Sequence, residues 1–239
     1  MKNLIIAALV LLSAVQLEGC ASTRGNLKNP EVKKVAVVSF ALNDWGDTSA
    51  VRVGGDSASG GFGSSMKTQR AAIQKATDQL FVYTEERLAE NWQVKKASTF
   101  VGDKAYRTRT VNKTLDAYVP IIKNKELGVF TENSMALKKA RLTSDQAIAL
   151  CSALNVDAVF VIFSEWTTKT GSTVPITRPY TKNVFSVWDK SGKELYARRI
   201  DRMGAIVIGG AGAKVSIGIP RVLDDFMDSY KQAIVLALK

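Results

Sequence analysis

Few side chains in this sequence can activate water or a nucleophile, and their spacing decides what each can do. The chain has no histidine. Ser-His-Asp and Cys-His catalysis, imidazole metal sites and imidazole pH switches are therefore excluded together. Serines, lysines, carboxylates and two cysteines remain. "SSMK" sets Lys67 one helical turn after Ser64, near enough to take its proton. "SDQ" supplies Ser144 with Asp145, and "KTG" puts Lys169 beside Thr170 and Gly171, where a cation at a strand edge would hold a carboxylate. "GGDSASGGFGSSMKT" has the glycines of a phosphate loop, but Lys67 follows Met66 rather than Gly, so the Walker spacing fails. A surface loop is expected there.

In order and kind, Ser64-x-x-Lys67, Ser144-Asp145 and Lys169-Thr170-Gly171 resemble the three motifs of penicillin-binding proteins and serine β-lactamases. The resemblance implies Ser64 as nucleophile and Lys67 as base of a Ser-Lys hydrolase. Gln146 stands where that family has Asn, and the middle motif opens a helix with only one helix and one strand before the third. A non-enzyme with no cofactor and no metal is therefore the expectation.

The cysteines carry different chemistry. Cys151 lies in "SDQAIALCSALNVD" at helical spacing from Ile148 and Leu154, the pattern of a small buried apolar residue. Cys20 ends "VQLEGC". Before it, Lys2 precedes an apolar run from Leu4 to Val15, broken only by Ser13 and too short for a comfortable membrane span. With Ala21, Ser22 and Thr23 following, the stretch resembles the lipobox of bacterial lipoproteins, although Glu18 occupies a position usually small. That resemblance implies cleavage before Cys20, a diacylglyceryl thioether on its sulfur and an acylated amine. Ala21 after the cysteine implies the outer membrane, with the domain facing the periplasm. With Cys20 modified, Cys151 has no intramolecular disulfide partner.

The formal net charge is +11, and residues 95–142 hold 11 Lys plus Arg against 4 acids. No nucleic-acid signature accompanies this excess. In an envelope the available polyanions are lipid head groups and cell-wall carboxylates, so these basic residues read either as a solvated face or as a contact for peptidoglycan or anionic lipid.

The elements that position these residues follow from periodicity. Residues 1–19 read as signal, 20–31 as a lipidated tether, and 32–239 as one periplasmic domain with an insertion near 100–142. "VKKVAVVSFAL" is a β-branched run of strand length. Met66 to Asn91 reads as a helix with Ile73, Leu80, Phe81, Thr84 and Leu88 on one face, and "NWQVKKAS" as a strand. Thr143 with Gln146 predicts a capping box, with Asn155 as C-cap. "DAVFVIF" predicts a central strand, and "NVFSVWDKSGKELYARRI" a hairpin turning at Asp189 to Gly192. "TTKTGSTVPITRPYTK" reads as a polar, proline-bearing connection. Pro220 opens a last helix with a stripe of Leu223, Phe226, Met227, Tyr230, Ile234 and Leu238, and with Asp224 and Asp225 in its first turn.

In "MGAIVIGGAGAKVSIGI", Ala213, Val215, Ile217 and Ile219 alternate with Lys214, Ser216 and Gly218, while Gly209 and Gly210 would turn the chain. This ribbon offers an apolar face to its own domain, to a protein partner or to the membrane surface.

The order strand, helix, strand, insertion, helix, strand, hairpin, helix predicts an α/β fold, one domain with a mixed β-sheet flanked by helices. Over residues 32–239, "VKKVAVVSF", "SDQAIALCSALNVDAVFVIFSEW", "VWDKSGKELYARR" and the closing helix resemble periplasmic domains of the TolB N-terminal, CsgG and LpoB kind. The resemblance implies a non-catalytic, lipid-anchored envelope protein, an assembly or accessory binding factor with an envelope protein partner and no nucleic acid. Self-association stays open. The alternative it implies is an oligomeric secretion channel component, for which each arm of the 203–219 ribbon is short against the roughly 9 to 11 residues of a crossing strand.

Overall fold

The run KVAVVSFALN is buried along almost its whole length, from Val35 to Leu42, which only a strand covered on both faces achieves. It is the second strand of the computed structural model, which describes residues 23–25, 27, 29–43, 62–111, 121–124, 126–172, 176–210 and 219–239. In chain order the elements are β1 (Thr23–Gly25), β2 (Lys34–Asn43), α1 (Phe62–Ala89), β3 (Gln93–Val94), a 3-10 turn (Ala97–Thr99), α2 (Lys104–Arg107), β4 (Ile121–Lys123), α3 (Ser134–Lys138), α4 (Ser144–Leu154), β5 (Ala158–Thr170), β6 (Ile176–Asp189), β7 (Glu194–Met203), β8 (Gly209–Gly210) and α5 (Ile219–Ala237).

The main path of the sheet runs β1-β7-β6-β5-β2-β3, with β4 also on β2 and β8 on β6. Strand β2 is parallel to β3 and β5, and every other pairing is antiparallel, so the sheet is mixed and the α/β expectation holds. Helices α1 and α5 cover one face, where Phe40 of β2 meets Phe81 and Tyr230 edge-on and Trp166 of β5 stacks on Phe226. Helix α4 covers the other face at one end, over Trp188 of β6, and the Ser186 hydroxyl of β6 donates to the Ala140 carbonyl in the connection between α3 and α4.

Helix α1 buries the expected Ile73, Leu80, Phe81, Thr84 and Leu88, and begins four residues earlier than read. Its Thr84 hydroxyl donates to the Leu80 carbonyl and lies 2.8 Å from the Tyr230 hydroxyl of α5, so the two helices share a satisfied buried polar contact. The capping box at Thr143 and Gln146 is formed, and Asn155 takes the left-handed conformation that ends α4. The buried face of α4 is Ala147, Leu150, Cys151 and Leu154; Ile148 is 42% exposed and does not belong to the stripe. Gly192 closes the β6–β7 turn at φ +82°, and a Cβ there would come within 2.8 Å of the Ser144 carbonyl oxygen, so glycine is required twice over.

Three other readings change. Thr23–Gly25 does not hang free but pairs with Tyr196 to Arg198 of β7, because β7 would otherwise be a bare sheet edge. "NWQVKKAS" supplies only the two paired residues of β3. Within 100–142, Ile121–Lys123 joins the sheet as β4 against the far end of β2, and Lys104–Arg107 and Ser134–Lys138 form the short helices α2 and α3. The register of β2 slips between Val37 and Ser39, and the carbonyl of Val38 freed there accepts the hydroxyl of Tyr106 at 2.8 Å.

Candidate functional site

Beyond the area covered by α4, strands β5, β6 and β7 continue with no other described element over the same face. Alternation and register fix which side chains share it. Glu165 pairs with Lys182 and Lys182 with Asp201; Tyr180 lies between Thr167 and Met203, Arg199 opposite Val184, and Lys169 opposite Arg178. Lys182 is 3.1 Å from Glu165. The Arg199 guanidinium holds both Asp201 oxygens at 2.8 Å, and Tyr180 donates to one of them at 2.7 Å. Lys169 stands over the Tyr180 ring, 5.1 Å from its centre.

Burial by itself would raise the Asp201 carboxyl, but the hydrogen bonds from Arg199 and Tyr180 outweigh it and hold the group below its ordinary range. Burial and the neighbouring Asp201 push the Tyr180 hydroxyl up to about 12, so it remains a donor. Arg199 is nearly half exposed, which keeps the array weak. Asp201→Asn is expected to cost about 1 kcal/mol at neutral pH. A carboxyl depressed in the folded state contributes fully above its unfolded value, about 3.9, and loses that contribution as pH falls through the folded value. Urea unfolding of both proteins should therefore give a constant gap from pH 7 to about 5 that closes below about pH 4.

Sequence reasoning misses this face because Pro175 and Pro179 suggest a loop. Its signal is the period of two in Arg178, Tyr180 and Lys182, and again in Arg199, Asp201 and Met203. Thr167 to Thr170 and Ile176 to Tyr180 in fact form the outer part of the β5–β6 hairpin. Pro179 is tolerated because its carbonyl, and with it the side lacking an N–H, faces Gly204, where β7 has ended.

The second change concerns residues 204–208. Between the pairs Tyr180–Met203 and Thr177–Gly209, β6 advances three residues and its partner six. The excess forms a bulge held by α5, whose Asp225 accepts from the N–H groups of Ala205 at 2.9 Å and Ile206 at 3.3 Å. Asp225 thus serves the loop instead of its own helix N-terminus. Gly209 and Gly210, expected to turn the chain, are strand residues paired with Thr177 and Ile176. Two glycines without side chains fit that ladder as readily as a turn, and the sequence does not separate these uses.

Of the sequence-predicted sites, Cys20, Ala213, Val215 and Ile217 lie outside the described residues. Ile219 is the first residue of α5. Ser64 and Lys67 are on the first turns of α1. Ser144 abuts Gly192, at the end of the sheet where Ala158 begins β5, and Lys169 is eleven residues further along that strand. At about 3.3 Å per residue the two are roughly 35 Å apart and do not share a site. Cys151 is buried with its sulfur 3.9 Å from the Trp188 carbonyl, and burial first, then Asp189 and Asp157, push its thiol up to about 12. In the basic stretch, Lys95 caps the Leu154 carbonyl at the end of α4 and Lys96 pairs with the buried Glu85, so part of that excess is structural.

The fold and this face define a single-domain α/β protein with a mixed sheet and one polar, solvent-facing sheet extension. No protein-family model and no curated protein matches the chain. Among solved structures it is similar to the dodecamer of a PelC point variant from Paraburkholderia phytofirmans, at 13% identity over 89% of this chain and 96% of that one, with a TM-score of 0.33. A likeness of that size carries nothing about assembly or activity.

Proposed function

We propose that this chain is a lipid-anchored cell-envelope protein that acts without catalysis, as an assembly or accessory binding factor for an envelope complex. One observation carries the reading. The signal-like stretch ends at Cys20, and Thr23, three residues on, is already hydrogen-bonded into the sheet, so a lipid on Cys20 would hold the domain directly at a membrane. Action by surface contact is supported by the β5–β7 face, where Lys182 pairs with Glu165 and Arg199 with Asp201 across the exposed sheet while Lys169 and Arg178 stand beside them. Several acyl chains on one cysteine give stable anchoring where a single chain is marginal.

The test is the mass of the N-terminal peptide of the protein purified from cells. It should begin at Cys20 and carry a diacylglyceryl thioether and an amide-linked acyl chain. Cys20→Ser should yield no lipidated species and leave the signal uncleaved. An unmodified thiol at residue 20 of the wild-type protein would overturn the anchor.

A further inference from the structure

We infer that the uncovered face of β5–β7 is the surface with which this domain lies against anionic lipid head groups. The inference rests on the anchoring of Cys20 proposed above and assigns it an orientation.

The first observation is where the anchor must be. Strand β1 is antiparallel to β7, with Thr23 opposite Arg198 and Gly25 opposite Tyr196. Thr23, the first residue of β1, is therefore the one nearest the Met203 end of β7, the end where no described element lies over the sheet face. Consecutive Cα atoms are 3.80 Å apart, so Cys20 lies within about 11 Å of Thr23. Strands are spaced about 4.8 Å, so Asp201, Lys182 and Glu165 form a short row inward from that edge, with Arg199 bound to Asp201. Lipid leaving Cys20 enters a bilayer beside this row.

The second observation is charge. Among the described residues of β5, β6 and β7, Lys169, Arg178, Lys182 and Arg199 share the face with Glu165 and Asp201, a net of two positive charges. Lys182 and Arg199 are paired with the two carboxylates, and Lys169 and Arg178 supply the excess. Met203, 47% exposed, and the Tyr180 ring add an apolar and an aromatic component suited to the interfacial zone. Helix α4 stands on the same face at the far end, so the sheet meets the bilayer obliquely, outer half first.

The opposite orientation presents the outer surface of α5, to which Gln232 belongs. That surface is separated from the anchor edge by the thickness of a helix layer, roughly 10 Å, which consumes the whole reach of residues 20–22.

The experiment uses the processed, full protein reconstituted in phosphatidylcholine vesicles with or without phosphatidylglycerol. With Cys20 acylated and Cys151 buried, an introduced cysteine is the reactive thiol. A fluorophore is placed at Met203→Cys or at Gln232→Cys, with a nitroxide quencher at head-group depth. Emission at 203 should be quenched in the anionic vesicles and emission at 232 should not. Arg178→Gln should lower the docking equilibrium about fivefold, the effect of one cation near an anionic surface. About 1 M salt should release the face, the Debye length then being roughly 3 Å, while the protein stays with the vesicles through its lipid. Quenching at 232 instead of 203, quenching at neither, or equal quenching without phosphatidylglycerol would overturn the inference and leave the anchor standing. A peptide mass without acyl groups would overturn both.

Discussion

Phe226→Ala should destabilise the protein by about 3 to 5 kcal/mol, the range for truncating a fully buried aromatic side chain. Phe226 is inaccessible to solvent and its ring lies 5.0 Å from that of Trp166 at an interplanar angle of 12°. Trp166 in turn is fixed from several sides: its indole N–H donates to Ser164 at 3.0 Å, and its backbone is bonded in both directions to the side chain of Asn43. The stack cannot collapse into the vacated space without breaking these bonds, so the cavity persists. For a domain of this size the cost is a fall in melting temperature of about 2 to 4 °C for each kcal/mol. Phe226→Leu, which keeps most of the volume, should cost less than about 1.5 kcal/mol. Equal melting temperatures for Phe226→Ala and the wild type would show that α5 is not held to the sheet by this contact.

Asp225→Ala should cost about 1.5 to 3 kcal/mol, because two backbone N–H groups lose a charged acceptor in a half-buried loop. Gly204 makes the prediction specific. A Cβ on Gly204 would overlap the Asp225 carboxylate and stand 3.1 Å from Pro179 Cβ, so Gly204→Ala should expel the carboxylate and give much the same loss. Combining the two changes should then cost little more than either alone, since both remove one interaction. Amide hydrogen exchange at Ala205 and Ile206 should accelerate in all three variants, while Tyr230 and its neighbours in the core stay protected. Fully additive losses would mean that Gly204 and Asp225 act independently and that the carboxylate does not hold the bulge.

Local chemistry in the sequence determined the pieces whose signal is short-ranged. Thr143, Gln146 and Asn155 bound α4 because a capping box and a left-handed C-cap involve only neighbours in the chain. Gly192 marked the β6–β7 turn for the same reason, and the 3.6-residue spacing of Leu223, Phe226, Tyr230 and Ile234 marked α5. The unbroken apolar run from Ala158 to Phe163 identified a strand covered on both faces, and from these pieces the α/β order followed.

Tertiary structure alone decided what depends on partners distant in the chain. Thr23–Gly25 has no strand signal of its own and is a strand because β7 leaves an edge open to it. Ile176 to Tyr180 reads as a loop, since a proline usually breaks a ladder; whether Pro179 does so depends on which neighbour its nitrogen faces, and here the neighbouring strand has already ended. Asp225 is placed for a helix dipole, yet its carboxylate is claimed by backbone N–H groups about twenty residues upstream, a pairing that exists only once α5 is docked. The charged face of β5–β7 is a product of register: a shift of one residue would turn Lys182, Arg199 and Asp201 toward α5, and no local property of those residues records which side faces solvent.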